Sequence, residues 1–140
     1  MIKCLIALFA VSMFLFTAPS FAGVGMISES YFVDNIPQPR VLEPDGDTVD
    51  LSGKKELIFK WSPHEGDISQ RKYYDFRLYE GEQALGPGLI LKKQVSPNKH
   101  QIGIESGLFK EGAIYTWSIR QKYRSGKSQR SINTFKVIKK

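Results

Sequence analysis

Residues 113–123 alternate without a break. Tyr115, Trp117, Ile119, Gln121 and Tyr123 fall on one side of an extended chain, and Thr116, Ser118, Arg120, Lys122 and the following Arg124 fall on the other. A period of two sorts side chains cleanly only in a β-strand; wound into a helix, the same residues would scatter over the whole circumference. The pattern recurs at 73–80, with Tyr74, Phe76 and Leu78 opposite Tyr73, Asp75, Arg77 and Tyr79, and at 56–61, with Leu57, Phe59 and Trp61 opposite Ile58 and Lys60. Shorter apolar runs at 41–42, 48–51, 89–95, 100–104 and 131–138 bring Ile102, Ile104, Phe135 and Val137 to inward positions. Between them lie a turn at 44–47 (Pro-Asp-Gly-Asp), after which 48–51 is expected to resume the strand begun at 41–42, a second turn at 52–54, a glycine-rich connection at 81–88, a turn at 96–99, and the polar loops 62–72 and 124–130. Lys92 and Lys93 suit an exposed edge strand. Only 105–111 offers a turn of helix. About seven short strands in roughly 100 residues predict an all-β chain of two packed antiparallel sheets.

The N-terminus has a different grammar. Met1-Ile2-Lys3 is a short basic start, residues 4–16 are an uncharged apolar run, and the run is broken before Ser20-Phe21-Ala22. That is the layout of a signal peptide cleaved after Ala22, and the apolar run is short for a membrane span. The expected organisation is therefore a signal peptide at 1–22, a lead-in segment at 23–38 and one domain at 39–140, with no membrane span after cleavage. Cys4, the sole cysteine, leaves with the signal, so the domain would enter a periplasmic or extracellular space held by its core alone. The formal charge of +6 falls to +5 once Lys3 is removed.

Two stretches resemble fibronectin type III domains, a branch of the immunoglobulin-like sandwiches. Leu57-Ile58-Phe59-Lys60-Trp61-Ser62-Pro63 is similar to that family's second strand, which ends in a core tryptophan. Leu108, Gly112, Tyr115, Ile119 and Gly126 fall at the spacing of its later leucine, glycine, tyrosine, apolar and glycine positions. The resemblance covers about 39–140. It implies that Tyr115 is a corner tyrosine, with its ring in the core and its hydroxyl bonded back near Leu108. It implies no shared active site, and 124–127 lacks an Arg-Gly-Asp triplet.

Candidate chemistry is sparse. Ser62, His64 and Asp67 sit within one loop, too local to approach a substrate as nucleophile, base and orienter, and His100 stands apart, so no enzyme is expected. Asp45, Asp47 and Asp50 could offer oxygens to calcium, but they fit turn chemistry and lack the rest of a calcium loop; no metal and no cofactor are expected. The outward rows are more informative. The resemblance implies that the strands at 73–80, 113–123 and 131–138 are neighbours in one sheet, which would gather Tyr73, Arg77, Tyr79, Arg120 and Lys122 on one face, with Arg124, Lys127 and Arg130 in the adjoining loop. Flat aromatic rings set among cations can grip sugars by stacking and polyanions by charge. The expected function is a non-catalytic module that binds a protein partner through an exposed strand or the end loops. The alternative is a carbohydrate or an anionic cell-envelope polymer, such as an anionic polysaccharide, held on the basic, aromatic face, and no nucleic-acid motif is present. Mass spectrometry of the protein recovered from the cell envelope or medium should find Gly23 as its first residue; a chain retaining Met1 contradicts cleavage.

Overall fold

The strongest alternating segment lies at the centre of the larger sheet. A computed structural model describes residues 36–63 and 70–140. It contains β1 (Arg40–Glu43), β2 (Thr48–Asp50), β3 (Glu56–Ser62), β4 (Arg71–Glu80), β5 (Leu89–Val95), β6 (Gln101–Glu105), β7 (Ile114–Tyr123) and β8 (Ser131–Ile138). One sheet has the order β1-β3-β6 and the other β2-β8-β7-β4-β5, so β4, β7 and β8 are neighbours as expected. All pairings are antiparallel except β2 with β8. The signal peptide, the lead-in up to residue 35, and His64, Glu65 and Asp67 of the end loop lie outside the described residues.

One expectation needs correcting. Residues 48–51 do not resume the strand begun at 41–42. β1 pairs with β3 and β2 with β8, in opposite sheets. Pro44 stands between them without an N–H to continue a ladder. Its carbonyl accepts instead from Asn133 Nδ2 at 2.6 Å, and the Asp47 carbonyl accepts from Lys136 N at 2.8 Å. The chain thereby crosses from one layer to the other.

The inward rows meet at Phe59. Its ring lies edge-on to Phe76 and Trp117, both with centroids 5.1 Å away, and tilted against Phe135 at 6.0 Å and Phe109 at 6.3 Å. Trp61, Tyr74, Leu78, Ile119 and Val137 complete the buried cluster. Edge-to-face contacts of this kind add to the gain from burying the rings' apolar area. Tyr115 is the corner tyrosine: it is wholly buried, its hydroxyl accepts from Lys110 N at 2.9 Å, and Phe109 packs edge-on at 5.0 Å. Gly112, at φ +73, makes the turn into β7. Leu108, matched to the family's leucine, is 41% exposed, and Phe109 fills the core position instead at 2%. The short 3-10 turn Ser106–Leu108 shifts which side chain points inward.

Gln121 is the polar member of the inward row. It is fully buried and its Nε2 donates to the Pro37 carbonyl at 2.6 Å, while Ser131 Oγ donates to the Pro39 carbonyl. The end of the lead-in is thus fastened to β7, and the first residue of the domain to β8.

Phe59→Ala should cost about 3–5 kcal/mol by opening a cavity where five rings meet. Tyr115→Phe, which deletes only the corner hydrogen bond, should cost about 1 kcal/mol. Urea unfolding checks both; equal losses would contradict this division between packing and hydrogen bonding.

Candidate functional site

The outer face of the five-stranded sheet is built by the residues that alternation forces away from the core. Across β4 and β7, Tyr73 stands opposite Lys122, Asp75 opposite Arg120, Arg77 opposite Ser118, and Tyr79 opposite Thr116. Across β4 and β5, Asp75 faces Gln94 and Arg77 faces Lys92. The loop after β7 folds back along it: Gly126 O accepts from Tyr123 N at 2.7 Å, Lys127 pairs with Lys122, and Ser128 N donates to Gln121 O at 3.0 Å. This hairpin carries Arg130 back over the sheet.

Three guanidinium groups converge on Asp75. Arg130 Nη2 donates to Oδ2, and its Nη1 donates to Ser118 Oγ at 3.1 Å and to the Asp75 carbonyl at 3.3 Å. Arg120 reaches Oδ2 through Nε at 3.1 Å and Nη2 at 3.0 Å. Arg77 lies farther off, with Nε and Nη2 each 3.4 Å from the carboxylate. The Asp75 side chain is 6% exposed, against 15–26% for its partners. Burial opposes its charge, but Arg130, Arg77 and Arg120 outweigh burial and hold the carboxyl below its ordinary value. Burial, with Arg120 and Arg77 nearby, draws Arg130 below its usual value while Asp75 opposes the change. Burial likewise lowers Lys127, helped by Arg120, Lys122 and Arg130. One carboxylate is shared by three guanidiniums, and two lysines adjoin them.

The face is less open than its sequence pattern implies. Asp75, Tyr79, Thr116 and Ser118 are all buried although they point away from the core cluster. Thr116 Oγ1 donates to Gly81 O at 2.7 Å, which draws the start of the 81–88 connection against the sheet. At 3% exposure Tyr79 cannot serve as a stacking platform, so of the two candidate aromatics only half-buried Tyr73 reaches the surface. Arg77, Arg120, Lys122, Lys127 and Arg130 are brought together as expected. Arg124 begins the hairpin, exposed, and its N–H donates to the Gln70 carbonyl at 3.1 Å, which joins the two end loops. Two participants were missed. Asp75, placed by the sequence only in the outward row of β4, is the centre of the basic patch. Lys92 read only as an edge guard and faces Arg77 across the ladder.

Elsewhere, His100 is edge-on to Tyr74 at 5.8 Å, and burial and Arg71 lower its pKa. Asp50 spends its carboxylate on the backbone and hydroxyl of Ser52, as turn chemistry predicts. No cluster of metal-ligating groups occurs among the described residues. No helix among them is long and apolar enough to cross a membrane.

No family model matches the chain, and no curated protein does. Similar solved structures include the twitchin kinase region of C. elegans, at 18% identity and TM-score 0.43, over 70% of this chain and 16% of that one. The third fibronectin III domain of human KIAA0343 matches at 13% identity and TM-score 0.45, over 69% of this chain and 86% of that domain. The FN1–FN3 domains of chicken CNTN1 match at 13% and 0.42, over 74% and 34%. The two-sheet topology and the Tyr115 corner make the fold an immunoglobulin-like sandwich of fibronectin type III character.

Asp75→Asn should destabilise the domain by on the order of 3 kcal/mol at neutral pH, because it leaves three partly buried guanidiniums without their counter-ion. The folded pKa lies below the unfolded value near 4. The carboxylate's contribution is therefore present above that value and is lost as pH falls through the folded pKa. The gap between wild type and variant should close under acid. Denaturant midpoints measured from about pH 7 to about pH 2 test this; a gap that stays constant contradicts the ion cluster.

Proposed function

We propose that this protein is an exported, non-catalytic interaction module that docks an acidic protein surface on the outer face of its five-stranded sheet. One observation supports the reading above others: Arg77, Arg120 and Arg130 share the single carboxylate of Asp75, with Lys122 and Lys127 alongside. Such an excess of fixed cations favours an anionic partner and steers its approach. The face is backed by the rigid core, so binding needs little ordering of backbone. The polysaccharide alternative loses one of its two stacking rings with the burial of Tyr79 and rests on charge and Tyr73. The signal-like N-terminus supports the export part of this reading.

Affinity capture from envelope extracts should retain a partner at low salt and release it as salt rises, because exposed charges are screened. Lys122→Glu combined with Lys127→Glu should abolish capture. Lys54→Glu combined with Lys55→Glu, in the turn before β3, should leave it intact. Equal loss in both pairs would show only a net-charge effect and overturn this choice of face.

A further inference from the structure

The edges of the two sheets differ in length and in charge. β1 and β2 span only four and three residues, and β6, of five, ends at Glu105 directly opposite Glu56. The remaining edge, β5, is the longest at seven residues and carries Lys92 and Lys93, both exposed. An edge strand presents a row of backbone N–H and C=O groups with which another extended segment can pair.

Pairing with β4 fixes where the side chains of β5 point. Lys92 stands opposite Arg77 and Gln94 opposite Asp75, so both lie on the rim of the cationic outer face. Leu91 stands opposite Leu78 and Lys93 opposite Phe76, so both lean toward the gap between the sheets. That gap is a groove of about 610 Å³ lined by Leu91, Lys93, Ile104, Leu108, Glu56 and Glu105. The register shift at Leu78/Tyr79 leaves Ile90 opposite no residue of β4, which makes 91–95 the regular part of the edge.

A segment added to this edge would inherit the same alternation. Its residues beside Lys92 and Gln94 would extend the basic face, and those beside Leu91 would cover the apolar part of the groove. A second copy of the chain fits poorly, because antiparallel pairing of β5 with itself about Lys92 or Lys93 sets that lysine against its own copy. An acidic residue in the same place makes a favourable cross-strand pair. The edge of β6 repels such a segment through Glu105 and Glu56, so charge selects β5.

We propose that β5 is a docking edge for an extended acidic segment of the partner protein. The segment adds a strand to the five-stranded sheet, with acidic side chains beside Lys92 on the outer face and apolar ones over Leu91 and Leu108 in the groove. This rests on the reading of the outer face as the docking surface and deepens it from an acidic surface to a strand of defined alternation.

The test uses two end-blocked peptides of one composition, Glu-Val-Glu-Val-Glu-Val-Glu and Glu-Glu-Glu-Glu-Val-Val-Val, titrated into the isotope-labelled protein. Amide exchange and chemical shifts are followed by NMR. The alternating peptide should bind saturably, shift the Leu108 methyls and slow exchange of the β5 amides directed away from β4, which attraction between charges alone does not do. The grouped peptide should bind roughly tenfold more weakly. Lys92→Glu should weaken the alternating peptide roughly tenfold, and Lys54→Glu, with the same change in net charge, should not. Leu108→Ser, at an exposed position, should also weaken it.

Binding without slowed exchange in 89–95, equal binding of the two peptides, or equal weakening by Lys92→Glu and Lys54→Glu overturns the proposal. Self-association that protects the β5 amides without peptide overturns it too, and makes a second copy the occupant. If the alternating peptide leaves β5 untouched while capture of the partner still depends on Lys122 and Lys127, the edge falls and the docking face stands. If the peptide adds to β5 but capture ignores those two lysines, the edge stands and the choice of face fails.

Discussion

Phe59 occupies the point at which the two sheets close, and every other placement in the molecule follows from filling that interior. Its ring touches Phe76 and Trp117 from one sheet and lies near Phe109 and Phe135. Because strand side chains alternate, committing Tyr74, Phe76 and Leu78 of β4 and Tyr115, Trp117 and Ile119 of β7 to the interior leaves no choice for the residues between them. A slip of one residue would exchange the two sets. The outer face is thus a by-product of the core, specified with the same rigour.

On that face the controlling interaction is between Asp75 and its arginines. A carboxylate at 6% exposure would be costly alone, and three arginines crowded together would repel. Together they form a satisfied group with positive charge in excess. The position of Arg130 depends on the hairpin after β7, whose own hydrogen bonds to Tyr123 and Gln121 aim it back across the sheet. Fold and candidate site are therefore coupled at one loop: what closes the β7–β8 connection also delivers a cation.

Much of this was legible in the residues. Alternation located the inward rows of β3, β4 and β7, and the spacing of Tyr115 located its corner, because both are local properties of an extended chain. The order of β8, β7 and β4 followed from the fibronectin-like resemblance. The crossing of the chain between β1 and β2 was not legible, since nothing in 40–51 says which sheet a short strand will join; partners in β3 and β8 decide it. Tyr79 and Asp75 read as solvent-facing because period two gives direction and not depth. Their burial arises from the connection and the hairpin that lie over the face, long-range features invisible in a local pattern. Leu108 and Phe109 exchanged roles for a similar reason: a short 3-10 turn rotates the chain by a fraction of a turn and changes which neighbour faces inward.

The central claim is that Asp75 remains ionised at the centre of a cationic cluster, and the titration of its side-chain carboxyl carbon by NMR tests it most directly. The account predicts a midpoint below the ordinary aspartate value of about 3.9, accompanied by shifts of the Arg120 and Arg130 side-chain nitrogens as the carboxyl takes up its proton. A midpoint at or above that value, with both arginines indifferent to it, would contradict the account.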